Sequence, residues 1–397
     1  MTTIPFRNHR DASLRDALRL VAAMLLVSVP VISAQSSSAT NDSIAISEAR
    51  TLLSQHHPER AESLLLPLVA REPINVSALT LLAEARVQQG DREQAKALLL
   101  RAISAMPDSP DANNAMGDLL LTEHHDPEAM DRFETVLAAD ARNPEARKGE
   151  LSAATGLALS ARKAEHPEVA LEVLQHARTR LPDDPQLLLD LGIQATELHR
   201  LPEATEALNE ARKLEPRSPE ILYALAQLEL EQQQMAAAET DLRTYLTIRP
   251  NDPSAHFGLG HVLAMVQRTD EARTEFERSI QLQPVQTESY YQVGQIELDA
   301  QHDDKAEPLF RKVLARDPNH GGALTGMGIL AFRHKDYTNA EQYLSAAEKS
   351  APDYGPAHYY RGLTLTRLGR KDEANIELRR ATELGRANGS PSPPDPQ

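Results

Sequence analysis

The sequence predicts an all-α solenoid of stacked helix pairs. Three observations predict it. Prolines recur 34 residues apart: Pro73 and Pro107, then Pro182, Pro216, Pro250, Pro284, Pro318 and Pro352. An alanine stands twelve residues before every proline slot, in ten units out of ten. Leu and Ala carry the apolar content, aromatics make up 4% and Trp is absent, which favours helix over strand. A fixed period of this length marks a repeat array, so the 397 residues are not read as separate globular domains.

The proline slots divide the chain into units 42–75, 76–109, 110–143, 144–184, 185–218, 219–252, 253–286, 287–320, 321–354 and 355–388. The alanines are Ala61, Ala95, Ala129, Ala170, Ala204, Ala238, Ala272, Ala306, Ala340 and Ala374. A small side chain lets two helices approach closely, and a larger one forces them apart. Each unit reads as two helices. In 185–218 the first apolar stripe is Leu188, Leu191, Ala195 and Leu198, and the second is Ala204, Leu208, Ala211 and Leu214, both at helical spacing. The proline slot ends the second helix. Pro127 and Pro202 open second helices, where a missing N–H costs nothing. Unit 144–184 has 41 residues, the extra seven lying ahead of Ala170. Seven residues are nearly two turns at about 3.6 per turn, so the first helix is expected to lengthen with its face in phase. The extension also marks a place for the array to divide into three units and then six.

Several units carry a bulky residue followed by glycine: Leu191-Gly192, Leu259-Gly260, Val293-Gly294 and Met327-Gly328. Phe133, Phe276 and Phe310 stand four residues after the alanine. With these motifs the chain resembles the tetratricopeptide repeat family over about residues 42–388. It departs from the pattern in lacking Trp at the first bulky slot and in having Ala141 in a proline slot. The resemblance implies a right-handed superhelix with a concave face lined by the first helices. It implies an extended or helical protein segment bound in that groove, and no catalysis.

The fifth residue of successive first helices gives Tyr223, Phe257 and Tyr291, and later Tyr359; four residues on stand Gln227, His261 and Gln295. Aromatic faces beside hydrogen-bonding tips, repeated every unit, form the candidate partner-binding ladder. Aromatics supply contact area at little rotamer cost, and amides pair with a guest backbone without selecting its sequence. Packing against the next unit is the competing role for these rings. Glu220, Glu231, Glu288 and Asp299 give way to Arg333 and Arg367 along the same face, which suits a guest basic in its middle. The groove variant that clamps chaperone C-terminal carboxylates requires Asn four residues after the fifth position. Arg50, Glu84, Asp118, Ser152, Ile193, Gln227, His261, Gln295, Ile329 and Leu363 stand there instead.

A formal charge of −16 argues against nucleic acid or anionic lipid as partner. The absence of Cys excludes disulfides, thiolate nucleophiles and Cys-ligated zinc. No metal or cofactor site is expected. His56, His57, His124, His125, His199, His302 and His334 fall in the turns within units, where a left-handed residue is often required. Gly326-x-Gly328-x-x-Ala331 mimics a dinucleotide fingerprint but lies inside a repeat helix. No HExxH, GK[ST] phosphate loop or GxSxG is present.

Arg7, Arg10, Arg15 and Arg19 precede an apolar run from Leu20 to Ala34, the pattern of an export signal on residues 1–34 with cleavage near Ala34. An uncleaved N-terminal membrane anchor is the alternative. The run is short for a span, and none is expected in the mature chain. Residues 35–41 read as a flexible lead-in and 389–397 as a disordered Pro-rich tail. The sequence thus predicts a periplasmic or secreted, non-enzymatic scaffold binding a protein or peptide. The alternative is a non-catalytic subunit of an envelope assembly such as pilus, outer-membrane or polysaccharide-export machinery. Exposed end units leave self-association open.

Overall fold

The structure is a computed structural model that describes residues 29–71 and 73–387. Most of the predicted export signal and the Pro-rich tail lie outside the described residues. Among the described residues there are twenty helices, arranged as ten pairs in step with the units. The pairs are α1 (Val29–Ser54) with α2 (Pro58–Val69), α3 (Val76–Gln88) with α4 (Arg92–Ala105), α5 (Pro110–Thr122) with α6 (Asp126–Ala139), and α7 (Pro144–Lys163) with α8 (Pro167–Arg178). They continue as α9 (Pro185–Glu197) with α10 (Leu201–Leu214), α11 (Pro219–Glu231) with α12 (Met235–Ile248), and α13 (Pro253–Met265) with α14 (Thr269–Leu282). The last are α15 (Thr287–Asp299) with α16 (Asp303–Arg316), α17 (Gly321–Arg333) with α18 (Tyr337–Ser350), and α19 (Gly355–Arg367) with α20 (Lys371–Ala387).

Local chemistry sets the ends. Pro110, Pro144, Pro219 and Pro253 take the first positions of their helices, where no amide donor is needed. Asn75, Ser109, Asn143 and Asp252 cap helices by accepting backbone N–H bonds. Within each pair one residue adopts left-handed backbone: His56, Gly90, His124, Glu165, His199, Gln233, Gln267, Gln301, Lys335 and Gly369. Three of the turn histidines take this slot. His302 and His334 do not; they flank it, with Gln301 and Lys335 at positive φ. The slot excludes β-branched residues on steric grounds, and Gln or Lys fills it as well as His does.

The invariant alanines lie between helices. Nine are 0% exposed and Ala374 is 2% exposed. Phe133, Phe276 and Phe310 are fully buried one turn further on. The glycines of the first helices make room for these rings. A methyl on Gly117 would lie 2.5 Å from Phe133 Cζ, and one on Gly260 2.8 Å from Phe276 Cδ1.

The described helices divide into two compact units, one ending at Asp190 and the other starting at Leu191, with the boundary inside α9. It does not fall at the extended repeat, where the sequence suggested a division. α7 is 20 residues long against 13 for most first helices, so the insertion is entirely helical. α7 packs on both α6 and α8, and stacking passes through it without interruption. Residues 35–41, expected as a flexible lead-in, belong to α1. No Gly or Pro lies between residues 31 and 57 to stop that helix. Among the described residues, no helix is long and apolar enough to cross a membrane.

Candidate functional site

At Tyr223, Phe257 and Tyr291 the fifth position of the first helix leans toward the second helix of its own pair, so the side chain is shared between core and surface. Tyr223 packs on Tyr245 at 5.4 Å between ring centroids, Phe257 on Phe276 at 5.6 Å, and Tyr291 on Phe310 at 6.3 Å. All three are half-buried against core clusters. This packing is against the ring's own pair, where the sequence suggested the next unit, and it braces the rings.

The ladder is uneven. Tyr223, Gln227 and Phe257 converge on one cleft of about 300 Å³, together with Ser254, Gly258 and Gln286. Gln227 is exposed and hydrogen-bonded with Tyr223, whose hydroxyl pKa burial pushes up. His261 is exposed and its ring lies 6.5 Å from that of Phe257. Tyr291 is different. His320 of the same repeat stacks on it at 4.8 Å, its ring lies over Gly322 of the next repeat, and burial raises its hydroxyl pKa. Gln295 donates to Asp299 Oδ1 at 2.9 Å. Tyr359 is half-buried with its ring edge-on to Tyr360 at 5.4 Å. Three of the seven candidate residues thus share a cleft, and the other four decorate the same helix face singly.

Most of the charge expected to read a guest is internally paired. Glu220 bonds Arg249, Glu231 meets His199, Glu288 accepts from Gln292 at 2.9 Å, and Arg333 meets Asp303 at 2.7 Å. The larger cleft lies elsewhere and escaped the sequence reading. It measures about 530 Å³, between α3, α5 and their neighbours, and is lined by Arg50, Thr80, Glu84, Asp111, Asn114, Asp118 and Glu145 among others. Glu84 and Asp118 occupy the position where a carboxylate clamp requires Asn. The signal was a pair of acidic residues in that position on successive repeats, visible but without meaning until the helices are stacked.

Glu348, His358 and Glu377 offer ligand-type atoms within 4.8 Å of one another. Arg361 already acts as their cation, bonding Glu348 and, at 2.8 Å, Glu377 Oε1. His358 spans from Glu377 at 2.7 Å to the Pro352 carbonyl at 2.8 Å. The same bridge recurs three units earlier, where His256 spans from Glu275 at 2.6 Å to the Pro250 carbonyl at 3.1 Å. There Leu246 and Leu259 stand in place of Glu348 and Arg361. The recurrence without the second carboxylate identifies the bridge as a joint between helix pair and turn.

Comparison with known proteins agrees with this architecture. Tetratricopeptide-repeat family models match residues 52–119, 189–253 and 325–391. The model described as the cytochrome c-type biogenesis protein H TPR domain matches residues 227–357. The chain is a tetratricopeptide-repeat protein of about ten helix pairs. Such repeat families are typically non-catalytic scaffolds for protein partners. Among solved structures, a tetratricopeptide repeat protein from Parabacteroides merdae is 19% identical, covering 57% of this chain and 90% of its own, with TM-score 0.47. PilF of Pseudomonas aeruginosa is 18% identical, covering 52% and 93%, with TM-score 0.45. YrrB, described as a TPR protein with an unusual peptide-binding site, is 17% identical, covering 45% and 92%, with TM-score 0.37. No curated protein matches the chain.

Proposed function

We propose that this chain is an extracytoplasmic scaffold that holds a protein or peptide segment against its first helices. The observation that carries the proposal is the Tyr223–Gln227–Phe257 cleft: two rings braced from behind by Tyr245 and Phe276, with an amide tip beside them. Rigid aromatics beside an adaptable amide suit a segment whose backbone is gripped and whose sequence is loosely read. Tyr291 and Tyr359 extend the same face, both half-buried. The Tyr223→Ala/Phe257→Ala/Tyr291→Ala variant, compared with wild type in affinity capture, tests the proposal. Equal recovery of the same partners by both proteins would retire it.

Export rests on Arg7, Arg10, Arg15 and Arg19 ahead of the Leu20–Ala34 run. Fractionation with N-terminal sequencing tests it: a periplasmic or secreted chain starting near residue 35 is expected, and a cytosolic chain starting at Met1 contradicts it. A second reading is a non-catalytic subunit of an envelope assembly. The match of residues 227–357 to the TPR domain of cytochrome c-type biogenesis protein H favours it, because that stretch holds Gln227, Phe257, His261, Tyr291 and Gln295.

A further inference from the structure

The cleft of the first compact unit is walled by carboxylates from three successive repeats: Glu84 on α3, Asp111 and Asp118 on α5, and Glu145 at the start of α7. Arg50 is the one cation among the lining residues, and it reaches Asp111 at 3.6 Å. The exposed side chains of Glu84 and Asp118 make no hydrogen bond or ion pair among the described residues. Both have raised pKa values, from partial desolvation by the cleft walls first and then from the nearby charge of Glu145, against the opposing pull of Arg50 on Glu84 and of Lys148 on Asp118. A second observation points to the same missing group. Asn114 lines the cleft and is 4% exposed. Its Nδ2 donates to Asn143 Oδ1 and to Glu145 Oε2, each at 3.2 Å, while its Oδ1 accepts from nothing. A buried amide oxygen without a donor costs about 1–3 kcal/mol.

We propose that this cleft receives an arginine side chain from the bound partner segment. Acceptors dominate the surroundings, with Arg50 on Asp111 as the one cation: the exposed carboxylates of Glu84 and Asp118, a third held by Asn114, and the buried orphan amide oxygen. A metal ion is a poor match. Its ligands must converge, and Glu84, Asp118 and Glu145 form no cluster within 4.8 Å, a criterion met among the described residues at Glu348, His358 and Glu377. A guanidinium suits spread acceptors, because it projects five donors from a plane instead of acting as a point charge. The cleft, at about 530 Å³, has room for the group and its stem. The inference rests on the reading that the first-helix face grips a protein segment, and it names the chemistry of one residue of that segment.

The test uses the full chain and a fluorescent ten-residue peptide of alternating alanine and arginine, with lysine and citrulline counterparts. Citrulline keeps the shape of arginine and loses its charge. The arginine peptide should bind more tightly than the lysine peptide, and the citrulline peptide should not bind. Glu84→Gln/Asp118→Asn should weaken arginine-peptide binding by about tenfold or more. A charge-matched control, Glu172→Gln/Glu277→Gln on exposed second-helix sites, should change it less than about twofold. Thermal melting checks that each variant folds, and Asp118→Asn alone serves if the double variant does not. Equal losses in the cleft and control variants would show general attraction to an acidic protein. Equal binding of arginine and lysine peptides would show that no guanidinium site exists. Either result overturns the proposal. Because the probe is synthetic and the substitutions lie in the first compact unit, failure here leaves the Tyr223–Phe257 cleft to be judged by its own capture experiment.

Discussion

The seventh position of the first helix is Leu, Met or Val in seven repeats: Leu82, Met116, Leu191, Leu225, Leu259, Val293 and Met327. It holds a charge in the other three: Glu48, which is exposed, and two that are enclosed by protein, Glu150 in the first compact unit and Arg361 in the second. The two have opposite surroundings. Glu150 is 0% exposed and neither carboxylate oxygen has a hydrogen-bond partner. Arg180, the cation that acts on it, engages Glu134 at 3.8 Å, and the His176 ring lies against Glu134 too. Burial, then repulsion from Glu134 and Asp131 against the pull of Arg180, pushes the Glu150 pKa up to about 8. Arg361 is held by Glu348, Glu377 and Glu341, the last at 3.3 Å. One repeat tolerates a lone buried acid as a neutral group, and the other builds a network around a base. A repeat position therefore fixes geometry, while its neighbours decide whether a charge there stabilises or destabilises.

The comparison is broken most severely at Arg361. Arg361→Ala leaves the crowded Glu348 and Glu377 without their cation while Glu341 keeps Arg370, and a loss of about 3–5 kcal/mol is expected in denaturant unfolding of the second compact unit. Arg361→Leu with Glu348→Leu copies the residues of the His256 joint and should recover most of that loss. Full recovery is the sharper outcome; none would mean that the network does more than satisfy itself.

Glu150 gives the opposite sign. Glu150→Leu should stabilise the chain by about 1–3 kcal/mol at pH 8, since it removes an unpaired buried polar group at an apolar slot. The gain depends on pH. The folded-state pKa lies near 8 and the unfolded value near 4.5, so between them the folded chain binds the extra proton. Wild-type stability should fall as pH rises across that window, by at most about 1.4 kcal/mol per unit, and level off above the folded value. Glu150→Gln should lack that slope, and thermal melting at pH 5, 6, 7 and 8 measures it.

Glu229 and Glu297 repeat the contrast within the second compact unit, at one shared repeat position. Glu297 is bound by Arg273 at 3.1 Å and His302 at 2.7 Å, and its pKa is lowered. Glu229 has an unpaired oxygen, and burial pushes its pKa up to about 7. Glu297→Gln should cost about 1–3 kcal/mol at pH 8, while Glu229→Gln should be neutral or stabilising there. The smallest effect belongs to the turns. Gly90→Ala, at φ +83°, should cost about 1 kcal/mol. His124→Gly, at φ 60°, should gain less than that in the same melting assay.

Much of the fold was legible because its determinants are local and repeated. Prolines end helices through their own ring, and the ten alanines mark helix crossings. The aromatic positions were legible too, since they recur in register. Their inequality was not: Tyr291 loses its surface to His320, at the far end of its own repeat, and to Gly322 of the next, which are distant in sequence and adjacent in space. The acidic cleft was least legible. Glu84, Asp118 and Glu145 stand on three repeats, and no spacing within one repeat relates them.

The sequence by itself determined the class of structure, the unit length, the helix ends and the small residues between helices, because each depends on side-chain size or backbone freedom at one position. Tertiary structure decided where the compact units part, which aromatics stay open, which charges find partners and where carboxylates gather. Those outcomes depend on distances between side chains of different repeats, and electrostatic energy is set by such distances and by the water excluded from between them.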